Sequence, residues 1–298
     1  MRKLILFTLL SLIMLDVYSQ RRRVRYKYEI IYSLGMTNFL GEVGGANRVG
    51  TNFARDLEWR AIRPVAGIGL RYKTSPYYGF KVTLNVAQVT GRDSWTEEMF
   101  RNNRNITFRS SIIELGGHIE GYFTKENTAS IYRIRNVKGR KKKNIQAYGF
   151  TGIHGFYFNP KGKYQNSWVA LQPLGTEGQG LNGTKKYSRF ALAIPVGLGM
   201  KYKIDRRWSW GVEFGLRKTF TDYIDDVSTV YYDNAAILAA KGAPAAYLAD
   251  PNKGVPELWS STLAGEQRGD PKNKDSYMFL TFNVNYKFMY KRKTRSKF

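Results

Sequence analysis

From Ser276 to Tyr290 the chain reads SYMFLTFNVNYKFMY. Met278, Leu280, Phe282, Val284, Tyr286, Phe288 and Tyr290 alternate with Thr281, Asn283, Asn285 and Lys287. A strict period of two puts one set on each face of an extended strand. The run is long for a globular strand, where five or six residues are usual. Its polar face carries amides and a lysine at mid-strand, which a dry sandwich core would not tolerate without partners. Apolar on one side and polar on the other, over such a length, is the pattern of a transmembrane barrel strand.

The same pattern recurs along the chain. YKYEIIYSLGM puts Tyr28, Ile30, Tyr32, Leu34 and Met36 on one face. RPVAGIGLRYK sets Ala66, Ile68, Leu70 and Tyr72 against Arg71 and Lys73. FKVTLNV sets Phe80, Val82, Leu84 and Val86 against Lys81, Thr83 and Asn85. IIELGGHIEGYF sets Ile113, Leu115, Ile119 and Phe123 against Glu114, His118 and Glu120. ALAIPVGLGMKY and WGVEFGLRKTF repeat it, with Lys201, Glu213 and Arg217 opposite the apolar residues. IQAYGFTGIHGFYF, residues 145–158, is strand-like, but its faces are left unassigned. No window offers the roughly 20 apolar residues of a membrane helix. The expected fold is therefore all-β, an eight-stranded antiparallel transmembrane outer-membrane β-barrel with long external loops. Aromatic residues at 15% and 29 glycines suit strands and tight turns.

The connections sort by length. TSPYYG and DRR are short, whereas residues 37–62, 92–109, 160–186 and 224–275 are long. Outer-membrane barrels have short periplasmic turns and long outer loops. Both termini are then expected in the periplasm. The link at 126–144 breaks the rule, being long on the short side, and it contains VKGRKKKN.

The opening MRKLILFTLLSLIMLDVYSQ has a cationic start, an apolar stretch and small residues before Gln20. It reads as a signal peptide over residues 1–19, leaving 20–298 as one barrel domain with a basic tail at 291–298. A secreted chain has little use for a nuclear signal, so nucleic acid is not the expected partner of VKGRKKKN. The chain holds 48 Lys and Arg against 23 Asp and Glu, a formal charge of +25. Most of that excess falls on the predicted periplasmic side, in Arg21, Arg22, Arg23 and Arg25, in link four and in the tail. The long loop 225–275 instead has eight acids and five bases. This asymmetry points to an anionic surface met by the periplasmic face. The residues expected to meet it are Arg133, Arg135, Lys138, Arg140, Lys141, Lys142, Lys143, Arg206, Arg207, Lys291, Arg292 and Lys293.

Other features have competing readings. Asp222, Asp225, Asp226 and Asp233 supply the clustered oxygens of a Ca²⁺ site, yet lack EF-hand spacing. They serve equally as turn and helix caps, or as partners for loop bases. His118, Glu114 and Glu120 share a polar face, where a hydrolase could use them with a hydroxyl or water. Lumen ion pairs with Arg71, Lys73, Arg217 or Lys287 are the simpler role, since a barrel of this size is filled by side chains. GEVGGANRVG lacks the spacing and following helix of a dinucleotide site. NAAILAAKGAPAAYLADP reads as a short helix broken near Gly242 and Pro244. Asn105 and Asn182 stand in glycosylation-type triplets. With no cysteine, thiolate metal sites and Cys nucleophiles are excluded. No cofactor is expected.

NFLGEVGGANRVGTNFARDLEW, FRNNRNITFRSSIIELGG, FYFNPKG, LQPLGTEGQGL, AIPVGLGMKY and LRKTFTDYIDDVSTVYYD together resemble the PorG-type outer-membrane proteins of the type IX secretion system of Bacteroidota. They also resemble the wider group of barrels carrying the domain of unknown function numbered 6089. The resemblance covers nearly all of the chain after the signal peptide. It implies a small outer-membrane barrel and a periplasmic association with the PorK–PorN ring. It implies no catalysis and supplies no catalytic residues. Outer-membrane lipids are the other expected partner.

Overall fold

The computed structural model describes residues 28–43, 58–124, 144–205 and 207–288. Eight long strands close on themselves: β1 (Tyr28–Leu40), β2 (Arg63–Lys73), β3 (Tyr78–Arg92), β4 (Thr107–Tyr122), β5 (Ile145–Tyr164), β7 (Phe190–Lys203), β8 (Trp208–Thr219) and β9 (Ser276–Lys287). Each pairs antiparallel with the next, and β1 pairs with β9 to complete the ring. The expected eight-stranded barrel is the one observed.

Three details depart from the sequence reading. β5 does not stop at Phe158 but runs to Tyr164, where it turns back into a ninth, four-residue strand, β6 (Ser167–Ala170). Asn159, Pro160 and Gly162 hide this extension, because they are turn-forming residues in an otherwise apolar run. β1 and β3 are also longer than their alternation suggests. Their last turns carry Thr37, Asn38, Thr90 and Gly91, which do not alternate by hydropathy but still pair with β9 and β4.

The two faces of the wall are chemically opposite. Leu34, Ile153, Leu192 and Leu198 on the outside are more than half exposed, while Glu29, Arg71 and Glu114 on the inside are 0% exposed. A continuous apolar belt around a polar interior is what a bilayer requires of a closed sheet. Tyr28, Tyr72, Tyr202, Trp208 and Trp210 gather toward the end of the barrel where β1 starts and β9 stops, with Tyr28 on Tyr72 and Trp208 on Tyr286. Such rings sit where hydrocarbon meets water. Among the described residues no helix is long and apolar enough to cross a membrane.

The tight turns at 74–77 and 204–207 lie at that same end, with Tyr28 and Phe288. Thr124 and Asn144, the described residues nearest the long basic link, are there too. The opposite, loop end carries the helices. These are α1 (Met99–Arg104), the single turn α2 (Leu171–Leu174), α3 (Asn234–Lys241) and α4 (Ala243–Ala249). Asp233 caps α3 through the Ala235 N–H, and Gly242 at φ +83° separates α3 from α4. The Ala-rich segment is thus broken where Gly and Pro predicted it.

Candidate functional site

Three regions carry polar chemistry: the lumen, the loop cap and the end with the termini. β5 settles its facing in the lumen. Gln146, Tyr148, Phe150, His154, Phe156 and Phe158 point inward, and Ala147, Ile153 and Tyr157 outward. Both faces are rich in apolar residues, which is why hydropathy alone could not orient this strand.

Toward the end with the termini, the lumen is packed with ion pairs. Glu29 lies 2.9 Å from Arg71, 3.5 Å from Lys73, 3.1 Å from Lys201 and 3.7 Å from Lys287. Arg71 reaches Glu120 at 2.7 Å and Glu213 at 3.3 Å. Lys81 meets Glu213 at 2.7 Å and Glu120 at 3.5 Å. Tyr148 and Tyr122 donate to Glu213 and Glu120. The register brings these groups to one level: Glu29 stands opposite Arg71 on one side and Lys287 on the other. Charges out of water are stable only when paired and hydrogen-bonded, and these are.

The next layer toward the loops holds the two histidines. His154 Nδ1 is 2.9 Å from Glu114, and its Nε2 is 2.9 Å from His118 Nε2, which lies 3.2 Å from the Thr83 hydroxyl. Arg217 and Tyr277 also engage Glu114. His154 fits because Gly116 faces it; a Cβ there would lie 2.0 Å from the ring. Hydroxyl, imidazole and carboxylate in series are ingredients of nucleophilic catalysis. Here all of them are buried in a filled interior, and Glu114 pairs with Arg217 as expected. Glu120 belongs to the ion-pair layer instead. His154 was missed as its partner for want of a facing for β5.

Above the histidines the lumen turns apolar. Phe39, Val65, Val89, Phe108, Ile112, Phe156, Phe158 and Phe279 form one core with Ile224 and Val227, which dip in from the last loop. This stopper and the charged layer beneath it leave a filled interior rather than an open channel.

In the loop cap each of four aspartates has its own hydrogen-bond donors. Asp222 accepts from Ser228, and Asp225 from the N–H groups of Val43 and Val227. Asp226 accepts from Tyr187 and Thr176, and Asp275 from the Ile224 N–H. Arg268 bridges Glu177 and the Asp226 carbonyl, and Arg104 pairs with Asp93. Among the described residues no three His, Asp or Glu side chains are grouped to hold a metal ion. Burial pushes the carboxyl of Glu42 up to about 7, with Asp222 adding to the shift. Asp222 and Asp226 rise to about 6, chiefly through burial. Asp225 and Asp275 are raised well above the ordinary range by burial and by neighbouring carboxylates. A cleft of about 1030 Å³ opens beside Glu42, Arg101, Arg104 and Asp270. Asn105 is a left-handed helix cap bonded to the Pro251 carbonyl, and the Asn182 amide donates to Tyr232.

Of the twelve residues expected at the basic face, Arg207 is described. It lies in the Ile204–Trp208 turn, where its N–H donates to Asp205 and its carbonyl accepts from Lys287. Arg133, Arg135, Lys138, Arg140, Lys141, Lys142, Lys143, Arg206, Lys291, Arg292 and Lys293 lie outside the described residues. So do the signal-peptide segment, Arg21 to Arg25 and most of the Gly-rich loop.

Residues 3–238 match the model of the domain of unknown function DUF6089. The chain belongs to the DUF6089 family. No curated protein matches it. Among solved structures, OprG, an outer membrane protein from Pseudomonas aeruginosa, is 8% identical with a TM-score of 0.37, covering 89% of this chain and 98% of its own. Ail, the attachment invasion locus protein of Yersinia pestis, is 8% identical at 0.36, with 88% and 99% covered. Neisserial surface protein A is 7% identical at 0.36, with 88% and 96% covered. The fold of this DUF6089 chain is, on its own strand pairing and apolar outer wall, a closed antiparallel β-barrel of the transmembrane type.

Proposed function

We propose that this barrel is a non-enzymatic component of the type IX protein secretion system, anchoring or stabilising the periplasmic ring at the outer membrane. The observation that carries the reading is the filled lumen. Ion pairs, the histidine layer and the aromatic stopper occupy it in turn, which favours a role at the barrel's surfaces over one inside its lumen. Its working surfaces are then its two ends. The end with the short turns also bounds the basic link and the basic tail; the PorG-type resemblance implies a periplasmic association with a ring of PorK- and PorN-like proteins, and those segments would be what meets it. Clustered Lys and Arg suit an acidic protein surface, adding association rate and orientation.

Reversing the charge of Arg140, Lys141, Lys142 and Lys143 together should abolish co-purification of the ring proteins while the barrel keeps its folded mobility on unboiled gels. Undiminished co-purification of the ring would remove the basic link from the interface. The second reading rests on the same basic residues. They would grip anionic headgroups of the inner leaflet, at about 1 kcal/mol per Lys or Arg. That reading predicts no ring protein in a detergent pull-down of the unaltered barrel.

A further inference from the structure

At the loop end, the outer wall of the barrel carries a row of cations that neither the lumen nor the basic face explains. Arg109 on β4 and Lys161 on β5 are direct cross-strand partners. Both leave the same outward face, because odd-numbered residues of these strands face out, as Ile113, Leu115 and Ile153 do. Like charges directly opposite destabilise a strand pair. In the lumen, Arg71, Lys73, Lys81 and Lys201 all have carboxylates. On this outer row, no carboxylate of the described residues lies within ion-pair distance of Arg109, Lys161, Lys163 or Arg189.

The row is held in place by rings rather than by acids. The Arg109 guanidinium lies over Trp168 at 4.2 Å, and Trp168 is the β6 partner of Lys163. Arg189 lies over Tyr157 at 5.3 Å, with its Nη1 3.4 Å from the Asn159 side-chain oxygen. Stacked in this way a guanidinium keeps its N–H edge free for a two-oxygen anion. Immediately toward mid-barrel the same wall turns apolar. Tyr157 stands opposite Ile113 and packs on Phe190 at 5.0 Å. Four residues of strand, about 13 Å, separate Tyr157 from Lys161. The cations therefore sit one headgroup's depth above the apolar belt.

We propose that Arg109, Lys161, Lys163 and Arg189 form a binding site for the phosphate groups of lipids in the leaflet at the loop end. Oxygens bridging Arg109 and Lys161 would replace their mutual repulsion with two charge-assisted hydrogen bonds. The site is independent of the ring-anchoring reading, since it lies on the other end of the barrel and involves none of the same residues.

The test uses the full chain in detergent with diphosphoryl lipid A as probe and native mass spectrometry as readout. The unaltered barrel should retain the lipid. An R109Q/K161Q/R189Q variant, still folded by its gel mobility, should bind it about a hundredfold more weakly. An R60Q/K253Q/K272Q variant removes as much charge elsewhere at the loop end and should bind normally. Equal retention by the first variant would overturn the proposal, as would equal loss in the second. Lipid A stripped of both phosphates should not be retained; its retention would show that acyl packing alone is responsible. Displacement of the lipid by an equal concentration of inorganic phosphate would also count against a lipid site.

Discussion

The most informative single residue is Glu29. It faces four cations from three strands, β1's own neighbours β2 and β9 supplying Arg71, Lys73 and Lys287, and β7 supplying Lys201. Replacing it with Gln leaves those buried cations crowded around a neutral amide. Glu29→Gln should destabilise the refolded barrel by about 3–5 kcal/mol in urea titration. Glu98→Gln, at the more exposed pair with Arg101 3.4 Å away, should cost under about 1 kcal/mol. Equal effects at the two sites would mean that the lumen is wetter than its burial implies. Arg71, Lys73, Glu114, Arg217 and Lys287 were legible as lumen residues because each interrupts an apolar alternation. Tyr148, Gln146 and His154 were not, because β5 has aromatic or aliphatic side chains on both faces and offers no contrast to read.

At the scale of elements, the cap is where pH acts. Glu42, Asp222 and Asp226 hold their protons to about 7, 6 and 6 in the folded cap, whereas an unfolded loop releases them near 4. The folded state therefore binds more protons across that interval, and cap stability is greatest below about 4. It falls as pH rises through 6 to 7. Amide exchange in residues 220–275, corrected for intrinsic rate, should be several-fold slower at pH 5.5 than at pH 8. Glu42→Gln should flatten the difference, because the amide can still accept from the Asp270 N–H but carries no charge. A pH-independent exchange rate would show that the carboxylates are solvated. The strands and the broken Ala-rich helix could be read from alternation and from Gly and Pro. The cap's tertiary contacts could not, since Asp222, Asp225 and Asp226 find partners as distant in sequence as Val43 and Thr176.

For the whole molecule, the filled interior makes a direct electrical prediction. Reconstituted in a planar bilayer, the barrel should show no steady conductance above background, and stable open steps would contradict an interior occupied by side chains. The closure that fills the barrel also orders its construction. β1 pairs with β9 across nearly the whole described chain, Glu29 opposite Lys287. Until β9 arrives, β1 and β8 are both unpaired margins, and Glu29 lacks one of its four counter-charges. A nascent barrel missing its last strand is thus marked twice, by two sticky edges and by an incompletely neutralised acid at the seam. The final strand acts as a latch. A truncated chain would be conspicuous to whatever machinery inserts barrels and disposes of the failures.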